Sequence, residues 1–248
     1  MFRPALLGIA FSQLLFASSC NICIDVGHDP VASGATSSTG SSEYLFNKRA
    51  SIDLYYALKD RGIPAFFANP DEKKMGLKNR PRIAKKNNAT LLVSMHHNSV
   101  AKRHLKKWTY QGKKRYCSDR INGYGLFISK KNPYYTHSKY LAELIGDNLL
   151  SSGYTPTTAC KPKPDPYLKK AKKKKGTPRT ILIDKKRGIK RYDNLVVIKY
   201  SKMPAILIEN GVIINREEER KLGDTAYRGG IVSAIANGIS EWCEQSYP

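Results

Sequence analysis

Short apolar runs that end in polar or glycine-rich residues alternate along this chain with longer stretches of helical period. Residues 22–26 (Ile-Cys-Ile-Asp-Val) form one such run, and it stops at Gly27-His28-Asp29-Pro30, the pattern of a strand entering a loop. A Ser/Thr/Gly/Ala-rich loop follows over 31–42. Ser41 and Ser42 then offer caps for a helix starting near Glu43, with Leu45, Phe46, Ile52, Leu54, Tyr55 and Leu58 as apolar positions and Gly62 as its stop. The same reading predicts a strand over 65–68, a helix over 77–87 and a strand over 91–95 that ends on His96-His97-Asn98. Beyond these it predicts a strand over 124–129, a helix over 137–150 and strands at 195–198 and 205–208. A last helix over 227–244 places Ile231, Ile235, Ile239 and Trp242 on one stripe. Strands followed by helices in this order predict an α/β fold: an open, twisted, mostly parallel sheet of about six strands with helices on both faces.

Composition narrows the class. With 248 residues and 41% hydrophobic positions, wholesale disorder, collagen and a coiled coil are excluded, and a single domain is expected. The formal net charge of +23 is unevenly distributed. Residues 161–191 carry fourteen Lys/Arg against two acids, and 102–120 carry eight against one. Elsewhere the chain is nearly balanced, so the basicity reads as two Lys-rich insertions, about 99–122 and 155–191, on an ordinary scaffold. Such runs are either solvated surface or a surface for an anionic polymer, whose attraction weakens with salt over a Debye length of about 10 Å at 0.1 M. Tyr110, Tyr116, Tyr167 and Tyr192 sit among the lysines, where tyrosines can stack on sugars.

The N-terminus has one positive charge at Arg3, an apolar region over 5–17 interrupted by Ser12 and Gln13, then Ala17-Ser18-Ser19. This reads as a secretory signal over 1–19, cleaved before Cys20 and too short to span a membrane, which leaves a mature domain of 20–248 without a transmembrane helix. Cys20 is also where a lipoprotein would be acylated, although Ala17 stands where such signals usually have Leu. The five cysteines are too scattered for a disulfide scaffold, and none has metal-ligand spacing. In an oxidising compartment Cys117 and Cys160 are candidates to bridge the two basic segments, while Cys23 reads as a buried apolar residue.

Open α/β sheets bind ligands at the carboxyl ends of their strands. His28 follows the first strand, His96 follows the third, and Glu209 closes the last, in Met203-Pro204-Ala205-Ile206-Leu207-Ile208-Glu209. Glu43 opens the first helix just after the first loop. Two imidazoles with a carboxylate are the ligand set of a catalytic zinc site, and a remaining carboxylate is the general base such a site needs. Taken singly, these residues are a loop histidine, a helix-start acid and strand-end polar groups. Their convergence on one sheet edge is the signal.

At these residues the chain resembles the zinc-dependent N-acetylmuramoyl-L-alanine amidases that cleave peptidoglycan. The resemblance rests on Asp25-Val26-Gly27-His28, Gly40-Ser41-Ser42-Glu43, Ser94-Met95-His96-His97-Asn98 and Pro204-Ala205-Ile206-Leu207-Ile208-Glu209, in order, and runs from about Ile22 to Trp242. Leu77-Lys78-Asn79-Arg80 and Asn215 with Glu217 and Glu218 match further family stretches. The resemblance implies one zinc per chain on His28, Glu43 and His96, with Glu209 as acid/base. The implied substrate is the amide between N-acetylmuramic acid and L-alanine, which places the protein in the periplasm or outside the cell. Asn98, His97 and Arg80 are expected as substrate contacts. His97 remains an alternative ligand to His96, since adjacent strand residues point to opposite sides. Val26, Asp29-Pro30 and His97 depart from the family pattern in the loop at the metal. Some relatives block their zinc with a carboxylate from an inserted helix; 155–191 lies in that place, but with only Asp165 and Asp184 strong self-blocking is not expected. Two other classes remain open on the residues: a non-enzymatic polyanion or cell-wall binder, with no specific nucleic acid expected as partner, and a zinc amidohydrolase of a small acyl amino acid.

Overall fold

The computed structural model describes residues 20–157 and 180–246. In chain order the elements begin with β1 (Ile22–Val26), α1 (Glu43–Lys59), β2 (Ala65–Phe67), α2 (Asn79–Lys86) and β3 (Leu91–Asn98). A hairpin of β4 (Lys106–Tyr110) and β5 (Lys113–Cys117) follows, then β6 (Gly125–Ile128) and α3 (Tyr135–Ser151). The chain finishes with β7 (Ile181–Asp184), β8 (Ile189–Arg191), α4 (Val196–Tyr200), β9 (Ala205–Val212), α5 (Arg216–Gly223) and α6 (Thr225–Ser246).

Among the described residues, seven strands form one sheet in the order β2-β1-β3-β9-β6-β8-β7. β2, β1, β3 and β9 run parallel to their neighbours, β6 is antiparallel to β9, and β8 is parallel to β6. β7 closes the sheet antiparallel to β8. The fold is the predicted α/β sheet, mostly parallel; five of its strands fall on the expected runs, while β7 and β8, inside the second basic insertion, are strands the sequence reading does not anticipate. Strand alternation sorts the core: Ile22, Ile24, Leu91, Val93, Met95, Ile206 and Ile208 pack with α1, α3 and α6 on one face. Cys23, Leu92, Ala205, Leu207 and Phe127 pack with Ala84 of α2 and Val197 and Ile198 of α4 on the other. Small helices cover this second face only in part, and its carboxyl edge is where the site lies.

Three points of the sequence reading need correction. Residues 195–198 are not a strand: an apolar run of four has no decisive period, and Val196–Tyr200 instead forms a helical turn whose Val197 and Ile198 cover the sheet. The first basic insertion, to which the sequence reading assigns no element, forms the antiparallel hairpin β4–β5. Cys117 is a free, buried thiol, not one half of a bridge, and Cys160 lies outside the described residues. Among the described residues a disulfide joins Cys20 to Cys243, across 223 residues, tying the start of β1 to the end of α6. Cys23 is buried, as expected. The segment 1–19 and the Lys-rich stretch 158–179, with Asp165 and Tyr167, lie outside the described residues.

Candidate active site

The turn after β1 is built by an arginine. Arg80 of α2 is 1% exposed; its Nη1 donates to Asp25 Oδ1 at 2.6 Å and to the Val26 carbonyl, and its Nη2 donates to the His28 carbonyl. Ser94 of β3 donates to the other Asp25 oxygen at 2.6 Å. These bonds hold His28 at φ 68°, a left-handed conformation that costs a non-glycine residue energy and persists only where its surroundings enforce it.

Glu43 reaches the site from the first residue of α1. The loop before it is pinned by α5: Ser38 and Thr39 donate to Glu219, with Thr39 N at 2.9 Å from Oε2. Asn215 caps α5 by accepting from Glu217 N and Glu218 N, each at 3.1 Å. The Glu43 carboxylate accepts from Ala35 N at 3.0 Å and from Asn47 Nδ2 at 3.3 Å.

His28 Nε2 lies 3.1 Å from Glu43 Oε2 and His96 Nδ1 lies 3.1 Å from Glu43 Oε1. One donor atom from each of the three falls within 4.8 Å of the others. Glycines make the room. A Cβ on Gly27 would stand 2.5 Å from the His96 ring, and one on Gly34, itself at φ 77°, would stand 2.5 Å from Glu43 Oε2 and 2.6 Å from His28 Cδ2. Two imidazole nitrogens and a carboxylate oxygen converging within 4.8 Å fit the ligand set of a zinc ion.

Register decides between the two adjacent histidines. His96 pairs with Glu209 across β3 and β9, so both project from the partly covered face. His97 projects from the other, 2% exposed, with Nδ1 2.8 Å from Asn47 Oδ1 and its ring 5.6 Å from that of Phe46. It is therefore neither beside the other donors nor open to a substrate, and burial pushes its pKa down to about 3. Arg80, expected as a substrate contact, is likewise committed to Asp25 and the turn. Asn98 is half-buried, bonds Ser99 N at 2.8 Å and lines a cavity next to the strand end. A bulge at this point sets Asn98 against Val212 instead of continuing the ladder, the kind of irregularity that re-aims side chains beside sites.

The electrostatics follow from this packing. Burial alone would push the Glu43 carboxyl up, but its hydrogen bonds with His28 and His96 outweigh that and hold it well below the usual carboxylate range. His96 is shifted upward: burial opposes its charge, and the bond to Glu43 with the nearby charges of Glu209, Glu43 and Asp25 overcomes it. Glu209 is pushed up to about 7, first by burial and then by the Glu43 charge, against the attraction of His96 and His28. Its Oε2 is buried and accepts no hydrogen bond among the described residues. A larger cavity, about 670 Å³, opens between Trp108, Arg216 and Lys221 and contains none of these residues; the converging donors locate the site better than volume does. Asp184 is engaged by Arg187 at 2.8 Å.

Asp25, Ser94, Asn47 and Glu219 support the site without having been singled out as site residues. Asp25 and Ser94 stand inside motif stretches already quoted, but nothing in their spacing tells a buried anchor from a strand residue. Glu219, 176 residues from Glu43, has no local signal at all.

The profile of the family described as N-acetylmuramoyl-L-alanine amidase (Amidase_3) matches residues 22–241. Among curated proteins, the chain is 26% identical to the N-acetylmuramoyl-L-alanine amidase AmiA of Salmonella typhimurium, covering 88% of this chain and 74% of that one. It is 28% identical to the uncharacterized protein YqiI of Bacillus subtilis, covering 90% and 85%. Among solved structures, the catalytic domain of CwlV, an N-acetylmuramoyl-L-alanine amidase from Bacillus (Paenibacillus) polymyxa var. colistinus, superposes with a TM-score of 0.65 over 91% of this chain and 98% of that one, at 24% identity. That last likeness is one of fold. With the family profile spanning nearly the whole described domain, the chain belongs to the N-acetylmuramoyl-L-alanine amidase family.

Proposed function

We propose that the chain hydrolyses the amide joining the lactyl group of N-acetylmuramic acid to the L-alanine of the peptidoglycan stem, with one zinc ion held by His28, Glu43 and His96 and with Glu209 as general base and then general acid. The observation that carries this reading is the convergence of three donor atoms within 4.8 Å, beside a strand pair that sets His96 opposite Glu209. A zinc ion bound there supplies the Lewis acidity that activates water near neutral pH and polarises the scissile carbonyl. Glu209 takes the proton of the attacking water on its unpartnered oxygen and returns it to the departing alanine nitrogen; burial raises its proton affinity, as a base requires. Arg80 and Asp25 hold the His28 turn, and Asn47 steadies Glu43.

The same reading makes 20–248 a single catalytic domain that acts in the periplasm or outside the cell after removal of 1–19. The Cys20–Cys243 disulfide supports an oxidising compartment and occupies the sulfur that acylation would need. Among the described residues, no helix is long and apolar enough to cross a membrane. Exposed Lys107 and Lys114 share the outer face of the hairpin with Tyr116 and suit an anionic envelope polymer. The direct test is Glu209→Gln: zinc content stays at one per chain, and kcat on peptidoglycan falls by roughly 10²- to 10⁴-fold. Full activity in that variant would remove Glu209 from the chemistry.

A further inference from the structure

Two short helices on the partly covered face of the sheet gather charge that the sequence holds far apart. α2 and α4 pack side by side over Leu92, Ala205 and Leu207. Lys78, Arg82, Lys85, Lys86, Lys199 and Lys202 stand on or directly beside them. An open groove of about 500 Å³ between the two is lined by Pro81, Arg82, Lys85, Lys86, Tyr200 and Lys202, with no Asp or Glu. Lys78 and Lys199 each place Nζ 4.9 Å from the centre of the Tyr200 ring. That ring therefore draws two further cations to the rim of the groove.

The sequence offers these cations no local acid: no Asp or Glu occurs from Lys73 to Ser118 or from Asn194 to Ile208. Among the described residues none of the six meets a carboxylate, and Arg82 donates to the Asn79 side chain at 3.2 Å. Nearby lysines, by contrast, are paired, Lys48 with Glu72 and Lys73 with Asp71. The helix dipole favours Lys85 and Lys86 in the last turn of α2 but opposes Lys78 at its start. Six like charges on one face repel one another and attract an anionic partner. Their apolar neighbours say which kind. Leu77, next to Lys78, is 51% exposed, and Tyr200 is 43% exposed. A phosphate polymer in water makes no use of an exposed leucine. The interfacial zone of a bilayer takes Leu and Tyr side chains together with lysines, whose stems lie along the apolar boundary.

We propose that the α2–α4 face docks on a bilayer bearing anionic phospholipid, with the six cations among the headgroups and Leu77 and Tyr200 at the apolar boundary. Each Lys or Arg near an anionic leaflet strengthens such binding about fivefold. α2 stands between this face and the His28 turn that its Arg80 holds, so a docked molecule carries the candidate site close to the bilayer.

The test is co-sedimentation of residues 20–248 with vesicles, at about 0.1 M salt, where the Debye length is roughly 10 Å. Vesicles of equimolar phosphatidylglycerol and phosphatidylcholine are expected to bind the protein, and vesicles of phosphatidylcholine alone are not. The triple variant Lys85→Gln, Lys86→Gln, Lys202→Gln, with a melting temperature matched to the wild type, is expected to bind about a hundredfold more weakly. Removing the same charge from the hairpin, by Lys107→Gln, Lys113→Gln and Lys114→Gln, is expected to cost no more than about fivefold. Leu77→Ser is expected to weaken vesicle binding by roughly fivefold to tenfold and to leave retention of inorganic polyphosphate unchanged. Failure of the wild type to sediment with the anionic vesicles overturns the proposal. So do equal losses in the two triple variants, which would mean attraction to the net charge and not to this face. Retention of polyphosphate without vesicle binding would assign the face to a phosphate polymer and overturn the bilayer as its partner.

Discussion

His28 joins backbone strain to chemistry: its left-handed φ is held by a buried arginine that bonds its carbonyl. If Arg80 anchors the turn instead of touching substrate, removing it leaves the Asp25 carboxylate, itself 1% exposed, without its cation. Breaking a buried pair from one side costs about 3–5 kcal/mol. Arg80→Leu is therefore expected to lower the urea-unfolding free energy by about that much and to weaken zinc binding, whereas a substrate contact would change KM alone. The proposed ligands and base were legible in the sequence because each stands where an apolar run gives way to polar residues or where a helix begins, although β3 and β9 continue past His96 and Glu209 to Asn98 and Val212. His96 and His97 were not separable from composition. Only the pairing of His96 with Glu209, and of His97 with Asn47 behind the sheet, assigns them.

Sequence reading missed β7, β8, α5 and the hairpin β4–β5. The hairpin's alternation is hidden because lysine stands on both faces: Lys107, Thr109, Lys114 and Tyr116 point outward, while Trp108 and Arg115 turn inward, the Trp108 indole donating to the Ser38 carbonyl at 2.9 Å. The turn at Gln111 and Gly112, both at positive φ, was its one local cue. Asp119 fastens this hairpin to α5 through Arg216 at 2.6 Å and to Lys106 at 2.7 Å. The bond to Arg216, opposed by burial and helped by the bond to Lys106, holds the Asp119 carboxyl below its ordinary value. A depressed folded-state pKa contributes stability that is present above the unfolded value of about 3.9 and lost as the pH falls below it. Acidification from pH 6 towards pH 2 is therefore expected to loosen the hairpin, read as a red shift of Trp108 emission. Asp119→Asn is expected to show part of that shift already at pH 6, and an unaltered pH profile in the variant would refute this fastening. The helical turn at 196–200 was misread for a different reason. Four apolar residues suit either conformation, and the place they occupy, in the connection from β8 to the central strand β9, is decided by topology.

At the scale of the whole molecule, the α/β class followed from the order of runs alone, while the joining of its two ends did not, since cysteine spacing says nothing of connectivity. Cys20–Cys243 closes almost the entire described domain into one loop. Replacing Cys243 by Ser is expected to cost about 2–5 kcal/mol, measured by denaturant unfolding with the wild type under reducing conditions as a matched control. Equal stability of reduced and oxidised wild type would contradict a stapling role. The charge of +23 bears on where the enzyme works more than on how its core folds.

The central claim is that His28, Glu43, His96 and Glu209 form a zinc-dependent centre for one amide of peptidoglycan. It is tested most directly by mass spectrometry of the soluble products released from peptidoglycan sacculi by residues 20–248, with and without a chelator. The account predicts free stem peptides beginning with L-alanine, absent once the metal is removed and restored by added zinc. Release of glycan fragments without such peptides, or release that persists in the chelator, would contradict it.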